Sequence, residues 1–188
     1  MYYGTMPGRK LTTVHHVILG CLASFGPQTS YDLKRSSQRI TGWMWEFPHT
    51  QLYTEPLKLV DAGLVEAEAE EGGRRRRTYS ITQAGRDELD RWSAELPDKD
   101  PEIRDLAFLK LYFADRTTPE RVADLARQQA AMHEARAEWV RSLLDATVDD
   151  PSAQHRRRVG RVGLAHAEML RDFWRAVAED PSGAAQGL

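Results

Sequence analysis

The 188-residue sequence predicts a mainly α protein with one small β-hairpin, divided into an N-terminal domain over residues 1–96 and a C-terminal helical domain over residues 97–188. Three observations predict it. Apolar residues recur at spacings of three and four over residues 14–25 and through most of the stretch beyond residue 103, the period of a helix with one buried face. Between residues 64 and 81 the period switches to two, the mark of half-exposed strands. At Leu96-Pro97-Asp98-Lys99-Asp100-Pro101, two prolines enclose three charged residues between periodic segments, and the domain boundary is placed there.

Thr12 and Thr13 are candidate caps for a first helix whose inner face carries Val14, Val17, Ile18, Cys21, Leu22 and Phe25, ended by Gly26-Pro27. A second helix starts at Thr29 or Ser30, with Leu33 inward and Lys34, Arg35 and Arg39 toward solvent. After Gly42 come Trp43, Met44, Trp45 and Phe47. Pro48 then opens a third helix, with Leu52, Leu59 and Val60 inward and Gly63 as its stop. Pro56 falls inside it and removes the bond to the Leu52 carbonyl, so a kink or early break is expected, with Leu57 swung inward. Each of these helices is too short to be stable unless packed on its neighbours.

The strand Leu64-Val65-Glu66-Ala67-Glu68-Ala69-Glu70 alternates apolar and acidic residues, and Thr78-Tyr79-Ser80-Ile81 alternates again after the turn Glu71-Gly72-Gly73-Arg74. Thr82 caps a fourth helix through Leu89 and Trp92. Helix, helix, helix, hairpin, helix, at these lengths, is a winged helix-turn-helix.

Such a fold places its third helix in the DNA major groove, where each base pair shows a distinct hydrogen-bonding pattern. His49, Thr50, Gln51, Tyr53 and Lys58 are the polar positions there. Gln51 can pair bidentately with adenine, Thr50 can touch a thymine methyl, and Tyr53 and Lys58 can hold phosphates, as can Tyr31 and Lys34 at the start of the second helix. On the wing, the consecutive Arg74, Arg75, Arg76 and Arg77 suit the minor groove or flanking phosphates; the bland alternative is a solvated turn. Residues 1–95 balance 12 lysines and arginines with 12 aspartates and glutamates. The acids crowd the first wing strand and the fourth helix, so a polarised surface and salt-sensitive binding are expected.

The residues resemble a family at this point. His16-Val17-Ile18-Leu19-Gly20, Gly26-Pro27, Ser30-Tyr31-Asp32-Leu33-Lys34, Gln51-Leu52-Tyr53 with Leu59, Ala62-Gly63-Leu64-Val65 and Tyr79-Ser80-Ile81-Thr82-Gln83-Ala84-Gly85 are similar to the successive landmarks of PadR transcriptional regulators. Arg104-Asp105 followed by Phe108-Leu109-Lys110-Leu111-Tyr112-Phe113 is similar to the segment opening the helical dimerisation domain of the longer PadR-like proteins. The resemblance covers about residues 12–178. It departs at Pro56, where the family usually has a leucine, and at Leu57, where a polar residue is usual. It implies a dimeric repressor on a palindromic operator, with a small-molecule effector as a further possibility; Trp43, Trp45, Trp139 and Trp174 are candidates to line an effector cavity, or else core.

In the C-terminal domain, Ile103, Leu106, Leu109 and Phe113 line one helix. Val122, Leu125, Met132, Trp139 and Leu143 line a second that starts at Thr118-Pro119-Glu120, and Val159, Val162, Leu170, Phe173 and Val177 a third. These stripes are expected to pack across a two-fold axis against a second subunit; an intramolecular three-helix bundle is the alternative.

Composition narrows the classes. A single cysteine, Cys21, excludes an internal disulfide and a thiolate zinc site, and reads as a small buried hydrophobe. The six histidines are scattered, so no metal or other cofactor is expected, and no phosphate loop, nucleophile elbow or catalytic triad spacing points to an enzyme. No apolar run approaches the ~20 residues of a membrane span. Residues 1–10 lack the hydrophobic run of a secretory signal and read as a loose arm, and the last eight residues as a frayed tail, so the cytoplasm is the expected location. Arg156, Arg157, Arg158 and Arg161 read as a solvated or salt-bridged face. The competing class is a protein-interaction module that keeps the winged fold without reading DNA.

Overall fold

The structure, a computed structural model, describes residues 11–42, 44–45, 47–48, 50–69, 77–97 and 100–184. The expectations for the N-terminal arm, Trp43, His49, the wing tip with Arg74, Arg75 and Arg76, and the last four residues lie outside the described residues. Two compact units divide the chain, Met1–Lys99 and Asp100–Leu188.

In the first unit, α1 (Thr13–Phe25) is capped by Thr12, whose backbone N–H donates to Nδ1 of His15 at 3.0 Å. Gly26, at φ 77°, ends it in a conformation that favours glycine. Phe25 is exposed rather than inward, and the Arg39 guanidinium lies over its ring at 5.8 Å. A two-residue strand, β1 (Gln28–Thr29), leads into α2 (Ser30–Thr41). The cap of α2 is reciprocal: Thr29 Oγ1 accepts from the Asp32 N–H, and the Asp32 carboxylate accepts from the Thr29 N–H.

The third helix, α3 (Gln51–Asp61), begins three residues later than Pro48, whose carbonyl accepts the Gln51 N–H at 2.9 Å. It runs past Pro56 without breaking. The proline ring is buried between Leu52 and Leu59 in sequence, on the same inner face, so the lost backbone bond is set against apolar burial. Leu57 is not drawn inward: it stays on the outer face. Beyond α3 the chain reverses at Gly63, φ 71°, as the Leu64 N–H donates to Leu59 and the Gly63 N–H to Val60.

β2 (Val65–Ala69) and β3 (Arg77–Ile81) pair antiparallel, Val65 opposite Ile81 and Ala69 opposite Arg77. β1 adds to β3, giving the order β1-β3-β2. The alternation expected of the first wing strand is only partly used, because Val65 is buried but Ala67 and Ala69 are exposed. α4 (Gln83–Ala94) starts at its Thr82 cap. The core of this unit is Ile18, Leu19, Cys21, Leu22, Leu33, Leu52, Leu59, Val65 and Tyr79.

The second unit opens with α5 (Leu106–Tyr112), capped by the Asp105 carboxylate, which accepts from the N–H groups of Ala107 and Phe108. Ile103 precedes this helix and is exposed. After a 3-10 turn at Ala114–Arg116 come two long helices, α6 (Pro119–Asp145) and α7 (Gln154–Glu179). They pack on one another as an antiparallel hairpin, tied by Arg141–Glu168 at 2.9 Å and Arg175–Glu134 at 2.7 Å. Many of the buried seam residues are small: Ala123, Ala126, Ala130 and Ala137 on α6, and Gly163 and Ala167 on α7, beside Val122, His133 and Val140 on α6 and Leu170 and Val177 on α7. Trp174 fills one end, with Phe108 stacked on it at 5.6 Å and Phe173 edge-on at 5.2 Å. Leu106, Leu109, Phe113, Met132, Trp139, Val159 and Val162, members of the expected stripes, are exposed, whereas Val122, Leu170 and Val177 are buried within the chain. Among the described residues no helix is long and apolar enough to cross a membrane.

Candidate nucleic-acid interface

The site is built around α3. Its inner face, Leu52, Pro56 and Leu59, is held in the core, and α1 grips it from one side. Nδ1 of His15 accepts the Thr12 N–H, and its Nε2 lies 2.8 Å from the Glu55 carboxylate. Burial lowers the His15 pKa below its usual value, against the raising influence of Glu55. Glu55 also receives Lys58 at 2.7 Å, and this ammonium holds its carboxyl below the ordinary glutamate value.

With that face fixed, Thr50, Tyr53, Thr54 and Leu57 form a stripe on the opposite side, all exposed. Tyr53 is 48% exposed and Leu57 37%, both large for side chains beside a closed core. Gln51 is half-buried at the flank of this stripe. Lys58 is exposed but engaged with Glu55, so a phosphate would have to compete for it. Thr54, absent from the sequence-based set, belongs to the stripe, and its hydroxyl donates to the Thr50 carbonyl at 3.3 Å.

At the start of α2, Tyr31 is exposed and Lys34 half-buried. The α1–α2 turn is locked from inside by Gln28, whose amide donates to the Cys21 carbonyl at 3.1 Å and accepts from Ser36 at 2.6 Å. Cys21 itself is buried, and its thiol is pushed up to about 11, which makes it inert as a nucleophile.

The wing springs from a backbone clasp. The Thr82 N–H donates to the Leu64 carbonyl at 3.1 Å, its hydroxyl donates to the Gly63 carbonyl at 2.8 Å, and the same hydroxyl oxygen accepts the Gly85 N–H. Gly85 lies so close that a Cβ there would sit 2.2 Å from the Leu64 oxygen. Arg77, the first residue of β3, is exposed at the base of the tip. α4 is held on α1 by His16, whose Nε2 meets Glu88 at 3.0 Å and whose ring stacks on Trp92 at 4.7 Å.

Of the four tryptophans suggested for an effector cavity, the three among the described residues have different settings. Trp174 is sealed in the core of the second unit, Trp139 is exposed on α6, and Trp45 is exposed in the first unit with Phe47 at 6.3 Å. In the second cluster of arginines, Arg156 pairs with Asp150 at 3.1 Å and Arg157 donates to the Leu144 carbonyl.

Fold and site together define a winged-helix protein with an appended helical hairpin. Residues 18–91 match the family described as Transcriptional regulator PadR-like family. The Negative transcriptional regulator PadR of Bacillus subtilis is 26% identical over 128 residues, covering 67% of this chain and 70% of that protein. The crystal structure of Bacillus subtilis PadR in complex with operator DNA superposes with a TM-score of 0.73 at 21% identity, covering 90% of this chain and 99% of that one. The same protein in complex with p-coumaric acid gives 0.67, at 21% identity and 90% and 98% coverage. The Vibrio cholerae virulence activator AphA gives 0.63 at 26% identity, covering 92% of this chain and all of that one. Residues 18–91 thus carry the PadR-like family domain.

Proposed function

We propose that this chain is a repressor that binds a palindromic operator as a homodimer, that a small molecule releases it, and that it works in the cytoplasm without catalytic activity. The observation that carries the proposal is α3: one face is consumed by the core, and the other offers Thr50, Tyr53 and Thr54, with Gln51 at the edge, along a single stripe. In this reading Gln51 and Thr50 meet base edges, as does His49 just before the helix. Tyr31, Lys34, Tyr53 and Lys58 meet phosphate, and Arg74, Arg75, Arg76 and Arg77 reach the minor groove or its flanks.

Pairing is supported by the exposed Leu106, Leu109 and Phe113 of the second unit, which no part of their own unit covers. One winged helix reads one half-site, so two copies and a symmetric operator belong together. Effector release is supported by the relative solved with p-coumaric acid. Repression follows the Bacillus subtilis relative; the Vibrio cholerae activator has a similar fold, so a promoter–reporter fusion assigns the sign.

The deciding experiment is selection of bound fragments from random DNA by the purified protein. A two-fold symmetric consensus is expected, and replacing Arg74 to Arg77 with alanine weakens all binding and flattens its salt dependence. The balance of 12 cations and 12 anions over residues 1–95 favours the second reading, a protein-interaction module. Failure to enrich any DNA sequence would establish that reading instead.

A further inference from the structure

We propose that Leu57 is a specificity residue that recognises the 5-methyl group of thymine in the operator's major groove; this rests on the DNA-binding reading above. Leu57 stands apart from the other leucines of α3: Leu52 and Leu59 are 2% and 0% exposed, whereas Leu57 is 37% exposed. It cannot turn inward, because the inner face beside it is already occupied by the buried ring of Pro56 and by Leu59.

Position decides what such a side chain can do. Thr50, Tyr53, Thr54 and Leu57 recur at intervals of three, one and three, so they lie along one line of the helix surface. At about 1.5 Å per residue the line is roughly 10 Å long, the length of about three base pairs. A helix laid in the groove on this face brings Leu57 against base edges along with Thr50. Those edges offer hydrogen-bonding groups that an aliphatic chain cannot satisfy, and one apolar group, the thymine methyl. Burying that methyl against the leucine also removes the water from both, a gain of the order of one methylene's transfer, equivalent to about fourfold in affinity. A polar residue at this position would lack that preference.

The test replaces thymine by deoxyuridine, one position at a time, in the selected operator, and measures binding of the full-length protein and its variants. Wild-type protein is expected to lose about fourfold per half-site at one thymine, and Leu57→Ala to bind thymine and uracil there equally, with Leu57→Met retaining part of the preference. Because the side chain is exposed, the variant is expected to melt like wild type. If no thymine is sensitive, or if Leu57→Ala keeps the same sensitivity, the inference is overturned while the DNA-binding reading stands. If no operator is selected at all, both fall.

Discussion

The two units bury different kinds of residue. The first closes around large aliphatic groups, Ile18, Leu19, Leu22, Leu33, Leu52 and Leu59, and its exposed large side chains are mostly aromatic, Phe25, Tyr31, Trp45, Tyr53 and Trp92 among them. The second relies more on small residues: along α6 and α7, alanines and a glycine share the seam with Val122, Val140, Leu170, Trp174 and Val177, while Met132, Trp139 and Val162 of these helices, and Leu106 and Leu109 of α5, face out. Fully burying a leucine or phenylalanine is worth about 1.5–3 kcal/mol, far more than an alanine. The second unit leaves more of its large aliphatic side chains uncovered than the first, Leu106, Leu109, Val159 and Val162 among them. A close helix pair with its bulky residues outside is suited to receiving another surface.

Substitutions can break this contrast. The largest effects are expected where large groups are sealed: Trp174→Ala should cost about 3–5 kcal/mol and Leu59→Ala about 2–5 kcal/mol, read by chemical denaturation. A Trp174→Ala loss below that range would mean that the alanine seam, not the aromatic plug, holds the hairpin. Next, Ala126→Leu should destabilise by about 1–3 kcal/mol, because the helices have no room to admit the extra carbons. A neutral result would show the seam to be loose.

Leu109→Glu, on an exposed position, is expected to leave the melting temperature of the isolated chain nearly unchanged but to shift sedimentation toward monomer at least tenfold in concentration. Unaltered association would remove α5 from the proposed subunit contact. The smallest effect is one of pH. His133 is buried in the α6–α7 seam without a hydrogen-bond partner among the described residues. Burial, reinforced by Arg136 on its own helix and His166 on α7 and opposed by Asp105, lowers its pKa. Since the unfolded chain binds the proton more readily, stability should fall as pH drops below about 6.5. The burial-lowered pKa of His15 acts in the same direction. His133→Leu should reduce the loss between pH 7 and pH 5 in thermal melts, and an identical slope would locate the dependence elsewhere.

Much of the first unit was legible because its signals are strong and local. Thr12, Thr29 and Thr82 mark helix starts, Gly26 and Gly63 mark stops, and the period change at residue 64 marks the wing. β1 was not legible, since two residues carry no period and pair only because β3 lies beside them. Pro56 misled because its missing N–H is visible in sequence while the apolar room for its ring is not. The α6–α7 seam was obscured for a related reason. Alanine contributes little to an apolar pattern, so Met132 and Trp139 dominated the stripe although Ala126, Ala130 and Ala137 make the contact. Of the site, the polar residues of α3 could be named from composition, but the stripe that joins Thr54 to Leu57, and the engagement of Lys58 by Glu55, needed coordinates.

The clasp at Thr82 gives the wing a fixed root. Gly63, Leu64 and Gly85 meet there through main-chain atoms, so the hairpin leaves the body of the unit like an arm on a riveted joint rather than a hinge. Even one methyl group at Gly85 would pry that joint open and re-aim the arm. In the DNA-binding reading proposed above, a change remote from every nucleotide would then misalign the arginines with the groove, leaving each contact intact and the two mismatched.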